Sequence, residues 1–372
     1  MPDQTTPTIT EPVPAPPAPA AAASRQTRLG AVLGWLSFRN ISAVYIFAAI
    51  FVVFAIWVPD TFLSQSTWRA LVDSQAITAL VAIGLVLAVS SGAFNLAVGT
   101  EVGMGAILVA WLLAKHGASI PVAIVLTILA GGIVGLVSGL LITVARIDSF
   151  IATLGVSSLL LALISWVSTD QQILNLSHSF QKLGTGEFLI FTWPVWIMLG
   201  VGVLVWYLLE RTPAGRHIYA TGGNIEAARL AGVKTKRVIV LSLVGCGMIT
   251  GLGGVLLTST IGSGDPTVGP AYLLPAFTAV FLGSTQFREG RFNVLGTVLV
   301  VYVLAAGVKG FQLAGAPTWI PDMFNGIALL TAVGLAKYQG RTGEEHALLR
   351  LLGHIRGRRR KGDGEQPVES GS

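Results

Sequence analysis

The stretch that decides the fold is Glu210–Arg237, ERTPAGRHIYATGGNIEAARLAGVKTKR, a polar insertion between two long apolar segments. It carries Arg211, Arg216, Arg229, Lys234, Lys236 and Arg237 against Glu210 and Glu226, and such a cationic loop between membrane spans stays in the cytoplasm. Gly222, Gly223 and Asn224 read as turn residues, and Ile225 to Ala231 as a short, alanine-rich run of helix formers. Asn224 is placed to cap that helix and Gly232 to end it. Glu226 and Arg229 lie three apart on one face, where they stabilise the helix or contact a partner. Ala227 and Ala228 are small enough for close approach to a groove. A helix this short, outside the bilayer, has too little apolar surface to form a core. Its use is docking, and the plainer alternative is a solvated loop.

Outward from this loop the chain is membrane-like. Hydrophobic residues make up 53% of its 372 residues and charged ones 11%, with 44 glycines, a balance foreign to soluble domains of this size. Apolar segments recur at Ile41–Val58, Ala70–Ser90, Val98–Leu113, Ile120–Val144, Phe150–Ser168, Phe188–Leu209, Val238–Ile261, Tyr272–Ser284, Asn293–Leu313 and Trp319–Ala336. The expected fold is all-α: a polytopic membrane protein of about ten transmembrane helices with both termini cytoplasmic. Several segments approach the ~20 residues a spanning helix needs; Val98–Leu113 and Tyr272–Ser284 are short enough to be broken or tilted. In this topology Arg146, Arg288, Arg291 and the central cations fall inside, and only Arg69, Lys115 and Lys182 outside. Trp57, Trp68, Trp111, Trp166, Trp193 and Trp319 fall near the outer helix ends, where indoles face headgroups.

Three regions follow. Residues 1–40, with seven prolines in Met1–Arg28, are expected to be a disordered cytoplasmic tail; no basic leader opens the chain, so the first apolar run reads as an uncleaved, N-inside anchor. Residues 41–336 form the transmembrane domain. Residues 337–372 form a basic cytoplasmic tail, in which HALLRLLGHIRGRRRKG, His346 to Gly362, is a candidate helix for the inner membrane face. The net charge of +6 points to orientation and anionic lipid contact. Nucleic acid is not expected, because no basic patch interleaves stacking aromatics. Gly131, Gly135 and Gly139 share a helix face, as do Gly247 and Gly251, and both stripes read as packing surfaces.

Enzymatic constellations are missing. His116, His178, His217, His346 and His354 are scattered, Cys246 is the only cysteine, and no Gly-Lys dipeptide exists to anchor a phosphate-cradling loop. No cofactor or metal is expected, and Cys246 reads as a small core residue. The other unusual stretch is Gly92–Ala106, GAFNLAVGTEVGMGA, which interrupts apolar helix with Asn95, Thr100, Glu101 and several glycines. Irregular backbone at membrane depth is tolerated only where protein or an aqueous cavity satisfies it. Gly92, Asn95, Gly99 and Glu101 are therefore candidates for a translocation pathway, with an inner-surface loop carboxylate as the alternative for Glu101. Lys309, near the outer end of its helix, reads as a snorkelling cation. Asp265, Pro266 and Gly269 form a turn that either closes its loop or helps receive a partner.

GRHIYATGGNIEAARLAGVKTKRV resembles the cytoplasmic coupling loop of permease subunits of bacterial ATP-binding-cassette importers, specifically the monosaccharide group that includes ribose permeases. GAFNLAVGTEVGMGA, DSFIATLGVSSLLLAL (Asp148–Leu163) and GSGDPTVGPAYLLPAFTAVFLGSTQFREGRFNVLGT (Gly262–Thr297) are similar to that group in order and spacing, and the likeness runs from about Ile41 to Ala336. It departs at Asn95, where relatives usually carry Asp, and at Lys309, where they tend to carry Asn. The resemblance implies a plasma-membrane permease that moves a ribose-like monosaccharide inward by alternating access. The implied partners are cassette ATPase subunits that hydrolyse ATP, a second permease copy in a homo- or heterodimer, and a periplasmic or lipid-anchored substrate-binding protein. Coupling would fall to Gly222, Gly223, Asn224, Glu226, Ala227, Ala228, Arg229 and Gly232. Nucleosides or another small polar solute are alternative cargoes. An ion-coupled secondary transporter would place paired ionisable residues at the midplane, and the spans offer mainly Glu101 and Lys309. A scaffold without transport activity is hard to reconcile with a discrete cytoplasmic helix.

Overall fold

A computed structural model describes residues 42–286, 290–331 and 333–334. The tails expected over residues 1–40 and 337–372, and Arg288, lie outside the described residues. The chain forms α1 (Ser42–Trp57), α2 (Pro59–Phe62), α3 (Gln65–Ser90), α4 (Val98–Ala114), α5 (Ile120–Thr143), α6 (Ser149–Ser168) and α7 (His178–Thr185). A two-residue hairpin, β1 (Glu187–Phe188) with β2 (Phe191–Thr192), leads into α8 (Trp193–Arg211), α9 (Pro213–Gly223), α10 (Ile225–Leu230) and α11 (Thr235–Ile261). A 3-10 turn, Gly269–Tyr272, precedes α12 (Leu273–Ser284) and α13 (Val294–Leu313), and a further helix begins at Ile320.

Among the described residues six helices are long and apolar enough to cross a membrane: α3, α5, α6, α8, α11 and α13. Shorter apolar helices cover Phe47–Trp57, Val98–Ala114 and Gly269–Ser284. Helix α3 is the centre of the bundle: 78% of its most apolar stretch is buried, against 28% for α5 and α6. Its sequence explains this, since Ala76 to Ser90 is apolar or small on every side and must be covered on every side. The apolar segment expected from Phe188 is shorter than its hydropathy suggests. Asp73 on α3 accepts hydrogen bonds from the Thr192 amide (3.0 Å) and hydroxyl (2.9 Å), pinning the hairpin, and the helix starts only at Trp193–Pro194.

The two glycine stripes face one another. A Cβ at Gly131 would collide with the Gly247 carbonyl, and one at Gly135 with the Leu243 carbonyl, so α5 and α11 touch backbone to backbone. In a lipid environment, close packing of this kind replaces the hydrophobic effect as the force holding helices together.

The bundle has two distinct ends. One gathers residues 143–148, the polar segment 212–237 and the turn before α13, where the Tyr219 hydroxyl donates to the Phe292 carbonyl (2.8 Å) and Arg291 lies over the Tyr219 ring at 4.0 Å. The other gathers α2, the turn after α4, α7, the hairpin and the loop 262–268, tied by Arg69–Glu187 (2.5 Å) and an Ile173–Gly264 bridge.

Candidate functional site

The polar segment is more structured than its glycines suggest. Thr212 accepts from the Gly215 amide (3.4 Å) and Pro213 occupies the first turn, so α9 starts where proline is tolerated and runs through Gly222 and Gly223. The two glycines therefore end a helix and are not a free turn. Gly222 serves close approach: its Cβ would collide with the Ser90 carbonyl, and that of Gly92, at φ +85°, would lie 3.3 Å from Gly222 Cα. The polar segment thus rests directly on the break that ends α3.

Asn224 Oδ1 accepts from the Ala227 amide (2.9 Å) and starts α10, as expected. The helix ends one residue early, at Leu230, with Gly232 at φ +85° just beyond. Glu226 and Arg229 pair at 3.1 Å in the open. Ala228 is 5% exposed and faces the protein, whereas Leu230 is 84% exposed and Ile225 46%; with Ala227 also exposed, these apolar side chains form the outward face. Beside α10 a recess of about 670 Å³ is lined by Arg146, Arg229, Lys234, Lys236 and Arg237 against Glu226 alone, so a complementary partner surface is acidic.

Asn95 and Glu101 are both sealed at 0% exposure. Asn95 Nδ2 donates to Glu101 Oε1 (3.0 Å) and to Cys246 Sγ (3.5 Å), while its Oδ1 accepts from the Ala97 amide (3.1 Å). Thr250 Oγ1 lies 2.7 Å from Glu101 Oε2. The amide of Asn95 satisfies the irregular backbone, and the carboxylate locks α4 to α11. Glu101 is therefore no surface-loop group, and neither side chain lines the cavity between α3 and α13 described below. Thr250 as the partner of Glu101, and Cys246 as that of Asn95, are invisible in the sequence, because residues so distant in the chain meet only through packing. Gly99 packs on the 3-10 turn, its Cβ falling 2.9 Å from the Gly269 carbonyl oxygen.

Asp265 closes its loop. Its carboxylate accepts from the Thr267 amide (2.8 Å) and hydroxyl (2.7 Å) and from Gln172 Nε2 (2.7 Å). The Thr267 amide, then its hydroxyl, hold the Asp265 carboxyl below its ordinary value. Lys309 is half-buried on α13.

An apolar bundle with a capped, cation-flanked helix at one end is the build of a membrane-spanning protein. Residues 66–333 match the permease family described as branched-chain amino acid transport system, permease component, and the chain belongs to it. It is 33% identical over 275 residues to the ribose import permease protein RbsC of Bacillus subtilis, covering 73% of this chain and 85% of that one. It is 30% identical over 326 residues to the L-arabinose ABC transporter permease protein AraH of Azospirillum brasilense, covering 87% and 94%. To the autoinducer 2 import system permease protein LsrC of Salmonella choleraesuis it is 30% identical over 280 residues, covering 75% and 80%. No solved structure matches the chain. It is a multi-pass protein of the bacterial plasma membrane.

Proposed function

We propose that this chain is the membrane-spanning subunit of an ATP-driven importer for a ribose-like monosaccharide, working by alternating access with both termini and the segment Glu210–Arg237 in the cytoplasm. Cassette ATPases bind the α10 face, a second permease copy completes the translocation unit, and a binding protein outside delivers the sugar. The observation that carries this reading is the seating of α9 and α10: α10 is exposed on its outer side, and α9, which leads directly into it and packs on it, touches the end of the central helix α3 through Gly222 and Ser90. A push on α10 therefore reaches α3 as rigid-body motion. The ribose and arabinose relatives support a pentose; a nucleoside, which contains a pentose, is the second cargo to test. Gly92, Asn95, Gly99 and Glu101 act in this reading as the joint that moves, not as ligand contacts.

The test is Leu230→Asp together with Ala227→Trp on the exposed face. Both are expected to leave the chain in the membrane while the ATPase is lost on co-purification and sugar uptake falls to background. Normal ATPase association with normal uptake in both variants would overturn the docking role, and uptake abolished by an ionophore in the presence of ATP would favour ion coupling.

A further inference from the structure

A cavity of about 330 Å³ lies among α3, α11, the 3-10 turn, α12, α13 and the helix beginning at Ile320. It sits toward the end of the bundle remote from the polar segment, for it includes Ile261, the last residue of α11, and Val308, near the end of α13. Thr78 carries it to the middle of the 26-residue α3. Four polar side chains line it, Gln75, Thr78, Tyr272 and Asn325. None has a hydrogen-bond partner among the described residues. Side chains of this kind at membrane depth are paired within the protein or wetted by a cavity; here four of them converge unpaired on the same space.

The lining contains no Asp, Glu, Lys or Arg. An ionic ligand would find no counter-charge and would lose hydration without compensation. Two amides and two hydroxyls offer donors and acceptors in a mixed array, which suits a ring of hydroxyl groups that each both donate and accept. The volume is near the lower end of the roughly 300–1,000 Å³ usual for small-molecule sites, which fits one ring better than a chain of them. The position of Tyr272 is set from behind: Gly269, at the start of its turn, would place a Cβ 2.6 Å from the Gly99 carbonyl oxygen, so the α4 break braces the wall without lining it.

We propose that this cavity is a transit site for a neutral, single-ring polyhydroxylated solute on the outer half of its route through the chain. The assignment rests on the importer reading and adds the site within one subunit that the solute occupies. In cells taking up radiolabelled D-ribose through the full transporter, Gln75→Leu and Asn325→Leu should each lower uptake by about tenfold, the equivalent of one lost hydrogen-bonding partner, with chain amount and ATPase co-purification unchanged. A second arm places cysteine at Thr78 or Asn325 in the full-length chain, with buried Cys246 alone as the control, and follows reaction with a membrane-impermeant thiol reagent. D-ribose should slow the labelling severalfold and D-gluconate, which carries a carboxylate, should not. Wild-type uptake in both leucine variants, labelling indifferent to ribose, or equal protection by gluconate would each overturn the site. Failure of the importer reading is seen separately, as wild-type uptake that does not depend on the ATPase.

Discussion

Asn95, Glu101 and Thr250 are sealed inside the bundle with every polar atom facing another, whereas Gln75, Thr78, Tyr272 and Asn325 surround an open cavity with no partner among the described residues. Both clusters draw on residues that a hydropathy plot passes over. The difference lies in saturation. A buried polar group that is fully paired holds its neighbours in register, and its loss costs the desolvation of whatever it leaves behind. A group left unpaired beside a cavity makes no hydrogen bond that fixes its neighbours and retains that capacity for a ligand.

The comparison breaks most readily at Glu101. Glu101→Leu strips Asn95 Nδ2 of its carboxylate acceptor, and the chain is expected to lose on the order of 2 kcal/mol of stability. Paired with Asn95→Leu in a double-mutant cycle, the two should show a coupling of about 1 kcal/mol or more, as groups in one network do. The same cycle on Gln75→Leu and Asn325→Leu should show coupling near zero and no loss of stability. Thermal unfolding of the purified chain reads both cycles, and strong coupling in the cavity pair would erase the distinction.

Gly222 and Gly223 are neighbours that repeat the contrast of sealed and open in backbone form. A methyl group at Gly222 meets the Ser90 carbonyl, whereas one at Gly223 meets nothing within 4 Å. Gly222→Ala should therefore force α9 off α3 with roughly 1–3 kcal/mol of strain and uncouple ATP hydrolysis from uptake. Gly223→Ala should leave transport near wild type. Equal behaviour of the two, in hydrolysis and uptake measured side by side, would remove the α9–α3 contact from the coupling route.

The smallest effect is expected at Asp265, a saturated polar cluster placed in water. Its folded pKa is depressed, so its contribution is complete above the ordinary carboxyl value of 3.8 and is lost as pH falls through the lower folded value. Hydrogen exchange at the Thr267 amide, corrected for intrinsic rates, should thus show constant protection from pH 8 to pH 5 and lose it only in strong acid. Protection that already declines at pH 6 would assign the loop to another titrating group.

How much of this was legible beforehand depends on the range of the interaction. The Asn224 cap, the Glu226–Arg229 pair and the Gly232 exit involve residues no more than a few positions apart, and their chemistry is written in the local sequence. The glycine stripes of α5 and α11 were readable as packing faces because helical period aligns every fourth residue, but not as each other's partners. Gly222 and Gly223 read as turn residues because glycine serves turns and close contacts alike; both instead end α9, and the Ser90 carbonyl gives a close contact to Gly222 alone. The inward face of Ala228 was hidden for a similar reason, since a six-residue helix is too short for its apolar period to identify a buried side.

By itself, then, the sequence determined the class of solvent this chain lives in, the helical build, the position of the polar segment and the caps of its helix, since hydropathy, charge and capping all act over one or two turns. Tertiary structure decided that Glu101 would be closed off by Thr250 and Asn95, that Gly99 would brace the turn carrying Tyr272, and that Gln75, Thr78, Tyr272 and Asn325 would share one cavity. Those choices join residues as many as 250 positions apart, from Gln75 to Asn325. A polar side chain is paired or left free by what packs against it, and no local pattern carries that information.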